Sequence, residues 1–228
     1  MTKMILQIET ATTVCSVALA NRGELIAVKE VNERNVHAEV ITVFIDELLN
    51  KAGIKYGELD AIAVSSGPGS YTGLRIGVST AKGLCYALSK PLIAVETLEA
   101  MASGFAAEGN YTDALMCPMI DARRMEVYTA LFDAAGNTIK PTAAEIIDEH
   151  SFTTELQQNK IVFFGDGAAK CRRILSQSSN AVIVEDFYNS AAHLTQKAYQ
   201  KYQAGQFEDV AYFEPFYLKD FLVTTKKA

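Results

Sequence analysis

The stretch Ser65 to Ser89, SSGPGSYTGLRIGVSTAKGLCYALS, most narrows what this chain can fold into. It follows Asp60-Ala-Ile-Ala-Val64, a short apolar run that reads as a buried strand. Gly67-Pro68-Gly69 then breaks the run, because glycine reaches positive φ and proline cannot donate to a ladder. Ser70 or Thr72 can accept from the free N–H groups at a helix start. Leu74, Val78, Ala81, Cys85 and Leu88 recur at helical spacing, so the unit is strand, glycine turn, helix. Gly73, Gly77 and Ala81 form a second stripe almost without side chains, at a helix-propensity cost of about 1 kcal/mol per glycine. The spacing predicts that something packs very close to that stripe.

A glycine turn feeding a helix N-terminus suits an anion, since free N–H groups and the helix dipole point the same way. Gly67, Pro68, Gly69 and Ser70 are therefore one candidate for an anion- or nucleotide-facing turn. The plainer reading is a tight turn with close helix packing. Gly73-Leu74-Arg75 follows without a Lys-Ser/Thr pair, so the turn is not a P-loop.

The remaining strands and helices extend the pattern. Strands are predicted at 4–8, 14–20 and 24–31, a helix at 36–52, the strand at 60–64, the helix at 72–88, a strand at 91–95 and a helix at 97–107. The second half repeats that order, with strands at 114–120, 126–132 and 138–147, a short helix at 149–158, a strand at 161–164, a helix at 168–175, a strand at 181–184 and a helix at 190–204. Three antiparallel strands followed by strand–helix units, given twice, is the α/β arrangement of the two-lobed actin-like ATPase and sugar-kinase fold. Residues 1–108 are expected to form one lobe and 109–228 the other, with the last segment packing back on the first. With 228 residues, 49% of them hydrophobic, the chain can bury cores of that size.

Composition excludes several function classes. A net charge of −6 argues against a generally basic nucleic-acid surface. Cys15, Cys85, Cys117 and Cys171 are far apart with apolar neighbours, so they read as reduced buried thiols rather than a zinc site. His37, His150 and His193 have no partner at ligand spacing. Gln7 and Glu9 interrupt the first apolar run, no signal peptide is read there, and no apolar stretch approaches bilayer-spanning length. A cytoplasmic protein with no membrane partner is expected. Phosphate-binding hairpins of this fold use glycine, yet the turns Glu9-Thr10-Ala11-Thr12-Thr13 and Asp121-Ala122-Arg123-Arg124 contain none. Glu9 and Asp121 could form a carboxylate pair or simply be hairpin residues. Gly165-Asp166-Gly167 could face an adenosine or only turn a strand into a helix. Arg123-Arg124 reads more readily as solvated surface than as a nucleic-acid patch.

Ser66-Gly-Pro-Gly-Ser-Tyr-Thr-Gly-Leu-Arg-Ile-Gly77, with Ala81-Lys-Gly-Leu84, Leu98-Glu-Ala100, Met119-Ile-Asp-Ala-Arg-Arg-Met-Glu-Val-Tyr128, Gly165-Asp-Gly-Ala168 and Pro215-Phe-Tyr-Leu-Lys219, resembles the signature of the TsaB (YeaZ) family across nearly the whole chain. The resemblance implies an inactive paralogue of TsaD, the subunit that transfers a threonylcarbamoyl group to the adenosine beside the anticodon of certain tRNAs. It implies a TsaD-like catalytic partner, a TsaE-like ATPase that joins them, self-pairing when alone, and tRNA met only through the complex. TsaD holds its metal with two histidines four residues apart, and the matching positions here are Thr97 and Met101. Hydroxyl and thioether are poor substitutes for imidazole, so neither catalytic residues nor cofactor nor metal is expected. Lys219 stands where the family more often has Arg, which changes any planar contact there. The alternative class is an ATP-dependent small-molecule kinase or ATPase of the same fold. A hydrolase or peptidase would need a nucleophile or metal that the sequence does not display.

The helix at 36–52 points to the partner surface. Its apolar positions cover about 240° of arc, well beyond the roughly 100° of a one-sided amphipathic helix. Ile41, Ile45, Leu48, Leu49 and Ala52 continue to the helix end as a core face should, whereas Val36, Val40, Val43 and Phe44 stop after the early turns. In TsaB proteins the first two helices contact TsaD. Val36, Val40, Val43, Phe44, Gly73, Leu74, Gly77, Val78 and Ala81 are thus the expected interface, with an internal core on both faces as the alternative.

Overall fold

A computed structural model describes residues 2–219 as two five-stranded sheets. In the first, β1 (Met4–Glu9), β2 (Val14–Asn21) and β3 (Glu24–Asn32) form an antiparallel meander, and β4 (Ala61–Ser65) and β5 (Leu92–Val95) continue it in parallel beyond β1. In the second, β6 (Leu115–Asp121), β7 (Glu126–Phe132) and β8 (Thr138–Ile146) repeat the meander, with β9 (Ile161–Phe164) and β10 (Ala181–Val184) parallel beyond β6. Helices α1 (His37–Ala52), α2 (Tyr71–Leu88), α3 (Thr97–Ala107), α4 (Thr153–Gln158), α5 (Ala168–Leu175) and α6 (Thr195–Gln203) connect and cover them. The duplicated order expected from the sequence is the order found.

Two local expectations are corrected. The helix predicted at 149–158 begins only at Thr153. Asp148 accepts from the His150 N–H at 2.9 Å and from the Ser151 hydroxyl at 3.0 Å, folding 148–151 as a turn that leads to Phe152 at φ +59°. The helix predicted at 190–204 is instead a 3-10 turn, Ala191–Leu194, followed by α6.

Alternation along the strands buries both faces of the first sheet. Leu6, Ile8, Val17, Leu19, Ile62 and Val64 pack on Ile41, Ile45, Leu48 and Leu49 of α1 and on Val78, Ala81 and Cys85 of α2. The intervening Ile5, Ala61, Ala63, Ile93 and Val95 meet Ala100 of α3 together with Leu194 and Ala198 beside and within α6. Helix α3 also belongs to the second sheet, where Leu98, Met101, Ala102 and Phe105 pack on Met116, Ile120, Val162 and Phe164. Phe105 stacks on Phe164 with ring centroids 4.1 Å apart. Each half therefore lends a helix to the seam between the sheets. All four cysteines are free and buried, and burial pushes the Cys85 thiol up to about 12.

Helix α2 begins where Ser70 accepts from the Gly73 N–H at 3.2 Å, the cap its sequence predicts. Its glycine stripe lies against the β1–β2 turn. The Thr10 hydroxyl donates to the Gly73 carbonyl at 2.8 Å, and a Cβ on Gly73 or Gly77 would run into the Thr10 carbonyl or hydroxyl oxygen. Gly83, on the same helix, faces open space.

The seam also holds polar groups. The Ser190 hydroxyl donates to Glu30 at 2.7 Å, and the Ser16 hydroxyl shares that carboxylate and accepts from the Ala191 N–H at 3.0 Å. Glu9 is wholly buried there. Its Oε1 accepts from the Ala11 N–H at 2.6 Å, while Oε2 has no hydrogen-bond partner. Burial raises its pKa to about 7, against a smaller opposing pull from nearby N–H and polar groups of Ala11, Ser65 and Asn189. Ser65 and Asn189 favour the charged form without closing a hydrogen bond to Oε2.

Two outcomes follow for stability. Gly73→Ala is expected to destabilise the fold by about 2 kcal/mol through overpacking against Thr10, whereas Gly83→Ala is expected to stabilise it by about 0.8 kcal/mol through helix propensity. Denaturant melts of both variants check the contrast, and equal effects would contradict the close contact. For Glu9 the folded carboxyl holds its proton up to about 7 and the unfolded one only to 4.5. Its contribution is complete below the lower value and is lost as pH rises between them, by up to about 3 kcal/mol. Glu9→Gln is expected to melt above the unsubstituted protein at pH 8 and level with it at pH 4. A pH-independent difference would show that Glu9 is not held protonated.

Candidate functional site

Helix α1 ends at Gly53, whose φ of +69° lets the chain reverse and returns the Gly53 and Ile54 N–H groups to the Asn50 and Leu49 carbonyls. Its inner face is buried as the pattern predicts. On the other stripe Val43 is 50% exposed, while Val36, Val40 and Phe44 are half-buried, and Val40 and Phe44 also touch the core. Lys29 sits 4.8 Å above the Phe44 ring and pairs with Glu47, which shields one side of the stripe. The α1 half of the expected interface is thus surface, centred on Val43.

The α2 half is not. Gly73, Leu74, Gly77, Val78 and Ala81 are all buried, because the β1–β2 turn and the first sheet already occupy the close approach their small side chains permit. No partner helix can use that stripe while Thr10 fills it. What α2 does present is Tyr86, 85% exposed, which the periodicity did not single out.

The turn at Gly67, Pro68, Gly69 and Ser70 is likewise filled by the chain itself. The Ser70 N–H goes to the Ala11 carbonyl at 2.7 Å, the Gly67 carbonyl accepts from the Thr97 N–H at 2.8 Å, and the Ser66 carbonyl accepts from the Phe216 N–H at 2.7 Å. A Cβ on Gly67 would meet the Phe216 carbonyl, and one on Gly69 the Ala11 backbone. The glycines admit protein backbone, which replaces the anion reading. Tyr217 packs on Tyr71 with centroids 4.8 Å apart, and Lys219 pairs with Glu126, so the 206–219 segment ties the first sheet's turn to the second sheet's hairpin.

Thr97 and Met101 sit side by side on α3, and both are fully buried. The Thr97 hydroxyl is 2.7 Å from that of Ser65. The Met101 methyl lies where a Cβ on Gly165 would fall, within the second sheet's core. These residues do not fit a metal, since neither is an imidazole and both are already engaged by protein. Among the described residues, no group of three or more His, Cys, Asp or Glu side chains is placed to hold a metal ion. His37 Nε2 is 3.0 Å from the Thr12 carbonyl. His193 accepts from the Ser190 N–H and stacks on Phe187, and burial lowers its pKa to about 4. His150 is exposed beside Glu149.

Glu9 and Asp121 are not brought together as a hydrogen-bonded or ion-paired unit. Asp121, at the end of β6, accepts from the Arg123 N–H at 2.8 Å and pairs with Lys170 of α5. Its own N–H goes to Asp166 at 2.9 Å, so the Gly165-Asp166-Gly167 turn serves the neighbouring hairpin. Burial beside Asp121 raises the Asp166 pKa. Lys170, which also donates to the Glu126 carbonyl, carries no sequence signal, because it lies 49 residues from Asp121 and meets it only through folding.

A family model described as TsaD, tRNA N6-adenosine threonylcarbamoyltransferase, matches residues 30–221. The tRNA threonylcarbamoyladenosine biosynthesis protein TsaB of Haemophilus influenzae is 40% identical over 124 residues, 54% of this chain and 51% of that protein. TsaB of Escherichia coli is 40% identical over 135 residues, 59% of this chain and 57% of that protein. The chain thus spans about half the length of the curated relatives it matches. Among solved structures, YeaZ from Pseudomonas aeruginosa aligns with a TM-score of 0.80 at 25% identity, covering 95% of this chain and 100% of that one. The activator of 2-hydroxyisocaproyl-CoA dehydratase from Clostridium difficile with bound ADPNP aligns at 0.52 with 11% identity over 90% of this chain and 97% of that one, which shows shared fold alone. The duplicated sheets and these matches agree: the chain belongs to the TsaB (YeaZ) family, within the group that the TsaD model describes.

Proposed function

We propose that this chain is a non-catalytic scaffold subunit for threonylcarbamoyl transfer to the tRNA adenosine beside the anticodon. The observation that carries the reading is the burial of two residues at the positions where the paralogue places its histidines, Thr97 hydrogen-bonded to Ser65 and Met101 within the second sheet's core. The filled β1–β2 turn and the Lys170–Asp121 pair support it, since both hairpins that would approach nucleotide phosphates are already engaged. A TsaD-like catalytic subunit binds the surface of α1, formed by Val36, Val40, Val43 and Phe44, and a TsaE-like ATPase joins the pair. Alone, the chain pairs with itself through the same surface, and it works in the cytoplasm with no cofactor of its own. Residues 1–108 act as the partner-binding lobe and 109–228 as the second lobe. No helix of the described residues is long and apolar enough to cross a membrane.

Val43→Glu tests the interface most cleanly, because Val43 is the exposed member of the stripe while charges at Val40 or Phe44 would also disturb the core. The substitution is expected to weaken binding to the TsaD-like subunit at least tenfold by calorimetry and to leave melting within a few degrees. Normal binding by the folded variant would remove α1 from the interface. Calorimetry and a phosphate-release assay on the isolated chain with ATP and Mg²⁺ address catalysis. Weak or no binding and no turnover are expected, whereas micromolar affinity with steady hydrolysis would favour the ATPase class.

A further inference from the structure

The two halves place equivalent hairpin turns in opposite environments. In the first half, Thr10 and Ala11 are pressed into α2 and buried. In the second, the β6–β7 turn stands out, with Arg123, Arg124 and Met125 all exposed. Arg123 and Arg124 have φ of +72° and +51°, a region where Gly and Asn are at ease and a β-carbon is not. The turn at 21–23 meets the same demand with Arg22-Gly23, and the one at 133–137 with Gly136. Two successive arginines are therefore a poor choice for turn formation alone.

The surrounding charges leave those guanidinium groups available. Of the acids beside the turn, Asp121 pairs with Lys170 and Glu126 with Lys219, while the largely buried Asp166 accepts from the Asp121 N–H. Neither arginine forms a salt bridge with a described residue. Lys219 joins the turn to a row of rings, because Tyr217, two residues earlier, packs on Tyr71, and Arg75 lies 5.3 Å from the Tyr71 ring centre. Tyr217 and Phe216 keep 36% and 39% of their surface exposed. Fork-shaped guanidinium groups match phosphate oxygens two at a time, and exposed aromatic rings can stack on unpaired bases.

We propose that the Arg123–Arg124 turn is an RNA-backbone contact by which this chain helps hold the tRNA in the complex, a proposal that rests on the scaffold reading above. The phosphodiester chain is favoured over an acidic protein surface because two arginines without a salt-bridge partner among the described residues stand on a hairpin that the Lys219–Glu126 pair links to the partly exposed Phe216 and Tyr217 rings. The turn belongs to the second sheet, whereas the partner surface lies on the first sheet's α1, so the two contacts can be removed separately.

The test uses the complex of the full chain with its TsaD-like partner and an unmodified tRNA transcript, with affinity measured across a salt series. Arg123→Glu with Arg124→Glu is expected to leave the protein complex intact, to weaken tRNA binding at least tenfold at about 100 mM salt, and to flatten log K against log salt by about 1.5, since each phosphate left without its cation removes roughly 0.7–0.9 from the slope. Arg123→Asn with Arg124→Gly, which suits the turn, is expected to raise the melting temperature while still weakening tRNA binding. Unchanged tRNA affinity and slope in intact complexes would overturn the proposal. Loss of the protein complex instead would assign the arginines to a protein contact and overturn it as well. A wild-type complex that forms but binds no tRNA would overturn it while leaving the scaffold pairing standing, and no complex at all would bring down both readings.

Discussion

The contact between Thr10 and the glycine face of α2 is the constraint on which much of the first half depends. A helix with ordinary side chains at Gly73 and Gly77 would stand off the sheet, and the β1–β2 turn would be open to solvent. With no Cβ at either place the turn nests against the helix, Thr10 donates to Gly73, and Ala11 receives the Ser70 N–H. The Gly67–Ser70 turn then lies close enough to be covered by Phe216. A helix-propensity cost of about 1 kcal/mol per glycine is thereby exchanged for close packing and satisfied backbone groups. The functional consequence is that space which a nucleotide-binding hairpin would leave for phosphate is occupied by protein.

The second tie is the exchange of helices across the seam. Helix α3 follows the first sheet in sequence but presents most of its apolar face to the second, and α6 returns from the second half to the first sheet. Such interleaving buries Thr97 and Met101 of α3. It also explains why polar groups are trapped there: both amide atoms of Gln7 and one polar atom each of Glu9, Asn189 and Thr195 are buried without a hydrogen-bond partner among the described residues. Groups of this kind cost stability when left unpaired. The seam is held by apolar packing and by the Glu30, Ser16 and Ser190 bonds, with Glu9 opposing it more strongly as its charge appears.

Duplication has left the two halves with one topology and different surfaces. One hairpin turn has become part of a core; the other displays two arginines whose neighbouring acids are matched by lysines. Divergence of equivalent turns thus gives the two halves different surfaces without altering either sheet.

Much of the architecture is legible because strands and helices alternate with strong period, and because Ser70 and the Gly67–Gly69 turn carry local backbone chemistry. The order of elements, the Ser70 cap and the buried thiols need no tertiary knowledge. The outer stripe of α1 is also readable, since Val36, Val40, Val43 and Phe44 widen its apolar arc beyond what one core face needs. The neighbour of the glycine stripe is not: periodicity reports that something lies close but is silent on whether it belongs to the same chain, and only the fold brings Thr10 to Gly73 across 63 residues. The start of α4 escapes periodicity because the Asp148 side chain, rather than any apolar pattern, closes the preceding turn. By itself the sequence determined the repeated α/β order and the absence of glycine from the turns at 9–13 and 121–124. Tertiary structure alone decided that Thr97 and Met101 are walled in, that Asp121 meets Lys170, and that Arg123 and Arg124 are exposed, because each depends on which distant groups the two sheets bring into contact.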